Sequence, residues 1–173
     1  LEVADEAVGW SLVEWEFESS PQDDWHGVAF YQDPGSTDHH DSVLPATLEA
    51  GPGAVVTSNP WYNDDGYAVT DTSSTSLDED DYIGWTVEPA EGEVIDLRHL
   101  RMGLFAASGS YDAELWVSQD GFDSYETVDL TPSPPLDAEG IGSGNGTEVI
   151  GDLGGVSFLS DLAGAVEFRL YFW

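Results

Sequence analysis

Residues 166–173 read VEFRLYFW, and this stretch indicates how the chain folds. Apolar residues occupy every second position from Val166 to Phe172, which is typical of a β-strand with one face against a core. The same alternation recurs in short segments that Gly, Pro, Asp and Ser separate. It predicts strands at 8–17, 27–32, 54–58, 66–70, 82–88, 100–107, 113–118, 127–130, 148–150 and 166–173.

Helical patterns are few. The segments 1–8 and 156–162 could each form short helical turns, but neither has a convincing pair of capping residues. The segment 131–146, rich in Pro, Gly and Ser, predicts an exposed loop. Because half-buried sheets must cover each other's apolar faces, the pattern predicts an all-β fold: a single antiparallel β-sandwich domain over residues 1–173, jelly-roll-like in arrangement.

The N-terminal alternation contains one irregularity. It shifts by one residue at Val13, which predicts a β-bulge. An N-terminal strand can add to the sheet of another molecule through main-chain hydrogen bonds, so we expect residues 1–17 to be capable of exchange with, or donation to, a neighbouring copy. The residues expected to form this assembly strand are Val8, Trp10, Leu12, Trp15 and Phe17.

The charge of the chain excludes several classes of partner. The 173 residues include 35 Asp and Glu but only three cations, all arginine, which gives a formal net charge of -32. Such a polyanion repels phosphate backbones and anionic lipid, so we expect neither nucleic-acid binding nor direct membrane binding. With 40% apolar residues and 7 Trp, 7 Tyr and 7 Phe the chain should nevertheless fold, in surroundings rich in screening cations.

Clusters of acidic residues suggest bound calcium, because hard cations prefer several carboxylate and carbonyl oxygens. None of the clusters matches an EF-hand loop. The alternative is that each cluster is an ordinary exposed turn. A histidine pair in DHHD, residues 38–41, could instead hold a transition metal or form a polar surface loop. The calcium candidates are Asp64, Asp65, Asp78, Asp80, Asp81, Asp120 and Asp123.

Signs of catalysis are weak, and we predict that the protein is not an enzyme. No G-x-S-x-G motif marks a serine nucleophile, and the absence of cysteine excludes a thiol nucleophile, a thiolate metal site and disulfides. Glu14, Glu16 and Glu18 share one face of the predicted first strand, at separations near those of glycosidase carboxylates. The solvated face of an amphipathic strand explains the same triplet.

Aromatic residues in predicted loops could contact a glycan or a partner. Trp25, Trp61 and Tyr62 lie in such loops, where a flat ring can stack on a sugar or fill a neighbour's pocket. Asn145 begins an N-x-[ST] glycosylation sequon in the longest predicted loop. The tryptophans that follow strand periodicity are expected in the core: Trp10, Trp15, Trp85, Trp116 and Trp173.

Four blocks carry a family resemblance: 81–89 (DYIGWTVEP), 92–104 (GEVIDLRHLRMGL), 115–122 (LWVSQDGF) and 166–173 (VEFRLYFW). Taken together, these blocks make the sequence resemble the exported bacterial β-sandwich proteins of the PEP-CTERM-sorted type. The most specific block is SQDGF, with Gly121 in a turn between strands. The resemblance implies an extracellular β-sandwich and carries over no catalytic residue. The sorting tail usual in such proteins is absent from this sequence, and we expect that it was removed or never present.

These observations favour an exported structural protein, located outside the cell or at its surface in saline or cation-rich surroundings. We expect it to assemble with copies of itself into a filament or surface layer, by β-augmentation and with cation dependence. The alternative is a non-catalytic carbohydrate-binding module with a structural calcium, whose partner would be an extracellular polysaccharide. A glycosidase with Glu16 as its best candidate is the third possibility.

Overall fold

A computed structural model describes residues 2–5, 10–14, 38–44, 46, 48–56, 69–70, 75–104, 110–137 and 147–173. The described strands, in chain order, are β1 (Glu2–Asp5), β2 (Trp10–Glu14), β3 (Asp38–His39), β4 (Glu49–Ala50), β5 (Val55–Val56), β6 (Val69–Thr70), β7 (Tyr82–Val87), β8 (His99–Leu104), β9 (Ser110–Tyr111), β10 (Ala113–Ser118), β11 (Glu126–Val128), β12 (Leu130–Thr131), β13 (Leu136–Asp137), β14 (Thr147–Asp152) and β15 (Val166–Phe172). Two 3₁₀ turns, Leu153–Gly155 and Ser157–Leu159, lie between β14 and β15.

The strands form two main antiparallel sheets. The first sheet has the order β12-β14-β8-β1-β2-β3, and the second has the order β11-β10-β15-β7-β4. Two further pairs, β13 with β9 and β5 with β6, stand apart from them. The prediction of an all-β, antiparallel fold is confirmed, while the sandwich and jelly-roll descriptions stay predictions.

Side chains from both sheets share one buried cluster. Leu115 and Phe168 contribute from the second sheet, and Leu100 and Val149 contribute from the first. The sheets approach closely at Gly151, where an added Cβ would lie 3.2 Å from a Val128 methyl group and 3.4 Å from a Leu115 methyl group. Full burial of a side chain of this size contributes about 1.5–3 kcal/mol, so this shared cluster is the main stabilising feature.

The N-terminal segment is a hairpin and not a helix. β1 pairs with β2 on one side and with β8 on the other, so the helix considered for 1–8 is wrong for the described residues 2–5. Backbone pairing on both sides explains the difference. The register passes from Val3↔Val13 to Ala4↔Ser11, which leaves Leu12 as the extra residue of a bulge. The predicted irregularity is confirmed one residue before Val13.

Two other expectations have mixed outcomes. The segment 131–146 is not simply an exposed loop, because Leu136 is only 2% exposed and β13 pairs with β9. Residues 138–146 of that segment, like the predicted strand 27–32, lie outside the described residues. The helical turns expected near 156–162 are present as the 3₁₀ turn Ser157–Leu159. In the described part of the chain, no helix has the length and apolarity to cross a bilayer.

Candidate functional sites

The second sheet carries a cluster of aromatic side chains on the face turned away from the core. Its three central strands alternate, so residues in phase with Leu115 and Phe168 enter the core and their neighbours face outward. The antiparallel register places Trp116 opposite Arg169, and Tyr171 opposite Tyr82. The outer aromatic face comprises these four residues and two from the following loop: Tyr82, Trp116, Phe122, Tyr125, Arg169 and Tyr171.

The loop between β10 and β11 supplies Phe122 and Tyr125. Gly121 and Phe122 have φ values of +73° and +67°, so the chain reverses through two consecutive left-handed residues. Glycine tolerates this conformation, whereas the phenylalanine is strained by it. The prediction that Gly121 lies in a turn between strands is confirmed. The Phe122 ring contacts the Arg169 guanidinium, and this contact offsets the backbone strain.

Asp120 fixes the shape of this loop. Its carboxylate accepts hydrogen bonds from the Ser124 hydroxyl at 2.6 Å, the Ser124 backbone N–H at 3.0 Å and the Ser118 hydroxyl at 2.8 Å. The Ser118 hydroxyl oxygen also accepts the Phe122 backbone N–H at 3.0 Å. The bonds from Ser124, and secondarily the bond from Ser118, lower the pKa of Asp120 below its ordinary value. The network therefore orients the turn that carries both aromatic side chains.

The aromatic rings form a layered stack. The Tyr125 ring lies parallel to the Trp116 ring, with centroids 3.8 Å apart and an interplanar angle of 6°. Beneath it, Trp116 and Tyr171 meet at 4.5 Å in a tilted arrangement, and Tyr171 meets Tyr82 at 5.6 Å. Tyr171 is 1% exposed and Trp116 is 7% exposed, but Tyr125 is 47% exposed. The stack thus ends in one half-exposed ring.

Arg169 lies between two rings of the outer aromatic face. Its guanidinium carbon is 4.4 Å from the centroid of Tyr82 and 3.9 Å from that of Phe122. Arg98, by contrast, forms an ion pair with Asp96 at 3.1 Å. Arg169 makes cation–π contacts, and within the described residues it forms no ion pair.

Burial raises the pKa of Tyr171, because the cluster removes its hydroxyl from water. A side-chain interaction of the Arg169 guanidinium with the Tyr171 hydroxyl, and secondarily the positive charge of Arg169, oppose this shift. No described group lies in hydrogen-bonding geometry with the Trp116 indole N–H, which is buried. This N–H is an unsatisfied group of the outer aromatic face.

A second candidate site is the junction between β1 and β8. The register places Glu2 opposite Arg101, Val3 opposite Leu100 and Ala4 opposite His99. Leu100 is fully buried and Arg101 is exposed. With Arg98 immediately before β8, two of the chain's three cations lie at the strand that receives the acidic N-terminal strand.

The acidic candidates for calcium are placed as follows. Asp78 accepts the Asp80 backbone N–H on its carboxylate and the Asp81 backbone N–H on its carbonyl oxygen, both at 3.0 Å, in a turn before β7. Over the described ranges, no three His, Cys, Asp or Glu side chains are grouped closely enough to hold a metal ion. Asp123 lies within the turn that Asp120 and Ser124 close, and Asp64 and Asp65 lie outside the described residues. Calcium stays a prediction.

The histidine pair is built into a turn. His39 belongs to β3, which pairs with β2. The Nδ1 atom of His40 accepts the Ser42 backbone N–H at 3.2 Å and lies 2.9 Å from the Ser42 hydroxyl. The surface-turn interpretation therefore accounts for His40 without a metal.

Several candidates fall outside the described residues: Val8, Trp15, Glu16, Phe17, Glu18, Trp25, Trp61, Tyr62 and Asn145. Trp10, Leu12 and Glu14 lie in β2. Among the predicted core tryptophans, Trp85 is in the core, but Trp116 is buried on the opposite face of its sheet and Trp173 is half-buried after β15. The core prediction for Trp116 is wrong, because its neighbours Leu115 and Val117 point into the core and Trp116 therefore points to the opposite face.

The outer aromatic face is not among the predicted sites, although the sequence contains a signal for it. Tyr171 shares its strand phase with Glu167 and Arg169, and Tyr82 shares its phase with Thr86. A large aromatic residue whose neighbours on the same face of the strand are polar indicates that other side chains cover this outer face of the sheet. Comparisons of the chain with protein-family models, with curated proteins and with solved structures found no match.

Proposed function

We propose that the protein is an exported structural subunit that assembles with copies of itself into an extracellular filament or surface layer, by exchange of the hairpin β1–β2. The observation that carries the proposal is the pairing of β1 with β8. β8 is bonded to β14 on its other side, so β1 fills the one remaining edge of β8. The same edge can receive β1 from another copy with the same hydrogen bonds.

Electrostatics favour this edge as the contact between copies. Two molecules that each carry a net charge of -32 repel one another, and most of their surfaces offer no compensating cation. At β8, Arg101 stands opposite Glu2 in the register. Opposite charges at directly opposed positions stabilise a strand pair by roughly 0.2–1 kcal/mol, and cations in solution would screen the remaining repulsion.

The length of the chain permits the exchange. The 23 residues 15–37 connect the hairpin to β3. Fully extended, a segment of this length spans about 75 Å, which is more than the width of a small domain. The PEP-CTERM-type resemblance agrees with a location outside the cell, and bound calcium would supply the screening that the assembly needs.

Cysteine cross-linking tests the exchange directly, because the native chain has no cysteine. Opposed residues of an antiparallel pair have Cα atoms about 4.5–5.5 Å apart, within the range that a disulfide bridges. We expect the double variant Glu2→Cys, Arg101→Cys to form a ladder of disulfide-linked multimers on a non-reducing gel after oxidation in salt and calcium. Electron microscopy of the same samples should show polymers.

The matched control pairs Glu2→Cys with Ile150→Cys. Ile150 lies opposite Arg101 on the far side of β8, so its Cα is about 10 Å from Glu2 and beyond disulfide reach. This control should form no ladder. If the first variant yields only internally bridged monomer, and the protein stays monomeric at every salt and calcium concentration, the exchange does not occur.

A further inference from the structure

Tyr125 has the features of a ligand-binding platform, whether or not the protein assembles with copies of itself. Its ring is half-exposed, parallel to Trp116 at 3.8 Å, and fixed in orientation by the Asp120 network. A flat, held ring with one open side is the element that binds the C–H face of a sugar. Because Trp116 supports the ring from behind, little conformational freedom would be lost on binding.

Arg169 adds hydrogen-bond donors beside this platform. The two rings that cover its guanidinium faces leave the N–H groups directed in the plane of the group. Within the described residues Arg169 forms no ion pair, and its one side-chain interaction is directed at the Tyr171 hydroxyl, so most of its five N–H donors remain for other acceptors. The guanidinium is thus held in place by its faces, with its edge left for hydroxyl oxygens.

The same face contains a donor that has no acceptor. The Trp116 indole N–H is buried and without a hydrogen-bond partner in the part of the chain that the structure describes. Trp116 lies in the stack between Tyr125 and Tyr171. A ligand hydroxyl group that reaches this N–H would return the free energy that its burial without a partner costs.

The surrounding charge selects among possible ligands. Glu114 and Glu167 share the outward phase with Trp116 and Arg169, and Glu79 is near enough to Tyr171 to favour its neutral form. These carboxylates repel an anionic ligand and accept hydrogen bonds from sugar hydroxyls. A cationic ligand would compete with Arg169 for the aromatic rings. A second copy of the chain would be repelled, because it carries the same net charge of -32. A neutral ligand is therefore favoured.

We propose that the outer aromatic face binds a neutral glycan, with one sugar ring stacked on the open side of Tyr125 and hydroxyl groups bonded to the Arg169 guanidinium. This site differs from the one predicted at Trp25, Trp61 and Tyr62. It adds an attachment function to the protein whether or not the hairpin is exchanged.

Affinity electrophoresis of the full chain tests the proposal. The native gels contain laminarin, galactomannan, dextran or hydroxyethylcellulose as neutral probes, and alginate as the anionic comparator; gels without polysaccharide give the reference mobility. We expect retardation by at least one neutral polysaccharide and none by alginate. Tyr125→Ala should weaken the association at least about fivefold through loss of stacking, and Tyr125→Phe, which keeps the ring, should restore it. Arg169→Lys keeps the charge but loses the planar fork, and should also weaken binding.

Val94→Ala is the matched control, because Val94 is an exposed apolar residue outside both main sheets. It should bind as the native protein does. Circular dichroism and the unfolding midpoint of each variant separate lost binding from lost folding. The proposal is overturned if no neutral polysaccharide retards the protein, if only alginate does, or if folded Tyr125→Ala and Arg169→Lys variants bind unchanged. None of these results alters the cross-linking test of assembly.

Discussion

At the scale of single residues, tryptophans with similar sequence patterns are buried on opposite faces of the same sheet. Trp85 and Trp116 both follow strand patterns, but Trp85 stacks on Phe168 in the core while Trp116 stacks on Tyr125 outside it. The alternation of Leu115 and Val117 contained the information to place Trp116. The position of Tyr125 could not be predicted, because it depends on a loop turn with two left-handed residues.

Tyr111 offers a test of what it costs to bury a hydroxyl group without a hydrogen-bond partner. Burial raises its pKa to about 12, and its hydroxyl has no hydrogen-bond partner among the described residues. A raised pKa means that the neutral form stabilises the fold fully below about pH 10, and that this stabilisation is lost as the pH rises toward 12. Tyr111→Phe should therefore leave the free energy of unfolding at pH 7 unchanged or raise it by about 1 kcal/mol.

Urea unfolding at pH 7 and pH 11 measures this effect. The native protein should lose more stability than the Phe variant between the two values, since only the native chain carries the titrating hydroxyl. A Phe variant that is less stable by more than about 1 kcal/mol at pH 7 would show that the hydroxyl has a favourable partner.

Asp120 offers a test of loop order. Asp120→Ala removes the acceptor for Ser124 and Ser118, so the Phe122 and Ser124 amides should exchange with solvent faster at neutral pH. Because hydrogen bonds lower its pKa, the contribution of the carboxylate is complete above about pH 4 and is lost as the pH falls through the lowered value. Hydrogen-exchange mass spectrometry measures the amides, and Asp123→Ala, in the same loop, is the control. Equal protection in both variants would contradict the role given to Asp120.

At the scale of elements, strands with a long alternation were the most predictable. The pattern predicted only residues 148–150 of the six-residue β14, and the two-residue strands β5 and β6 lie within the longer predicted segments 54–58 and 66–70. The bounds of β10 were predicted correctly, and β7 and β15 were each predicted one residue too long, because six or seven alternating residues give a clear period. β4 and β13 have two residues each, and their partners lie far along the chain. Nothing within a two-residue segment identifies such a partner.

The end of β4 provides an element-scale prediction. Gly51 follows β4 and donates its N–H to the Tyr82 carbonyl at 2.8 Å, and a Cβ there would collide with the Asp80 carbonyl oxygen and the Tyr82 ring. Gly51→Ala should lower the free energy of unfolding by about 1–3 kcal/mol, since backbone as well as side chain must move. Gly164→Ala, where an added Cβ meets nothing within 4 Å, is the control and should have little effect. Chemical denaturation compares the two, and equal stability would contradict the predicted collision.

At the scale of the whole molecule, net charge opposes compactness. The chain carries a net charge of -32 on 173 residues. Folding brings these negative charges closer together and so increases their repulsion, and dissolved salt weakens that repulsion by screening. The unfolding midpoint should therefore rise by several degrees between about 10 mM and 1 M NaCl at pH 7. Differential scanning calorimetry measures the change, and CaCl₂ at matched ionic strength separates screening from specific calcium binding. An unfolding midpoint that does not change with salt would contradict the proposed repulsion.

The position of β15 between β7 and β10 has a consequence for how the chain folds. β7 and β10 precede β15 in the chain and do not pair with each other. Each pairs with an outer strand, β7 with β4 and β10 with β11, and only residues 166–172 join the two halves of the sheet. The second sheet is therefore complete only when residues 166–172 are in place. Contacts of such long sequence separation also make folding slow.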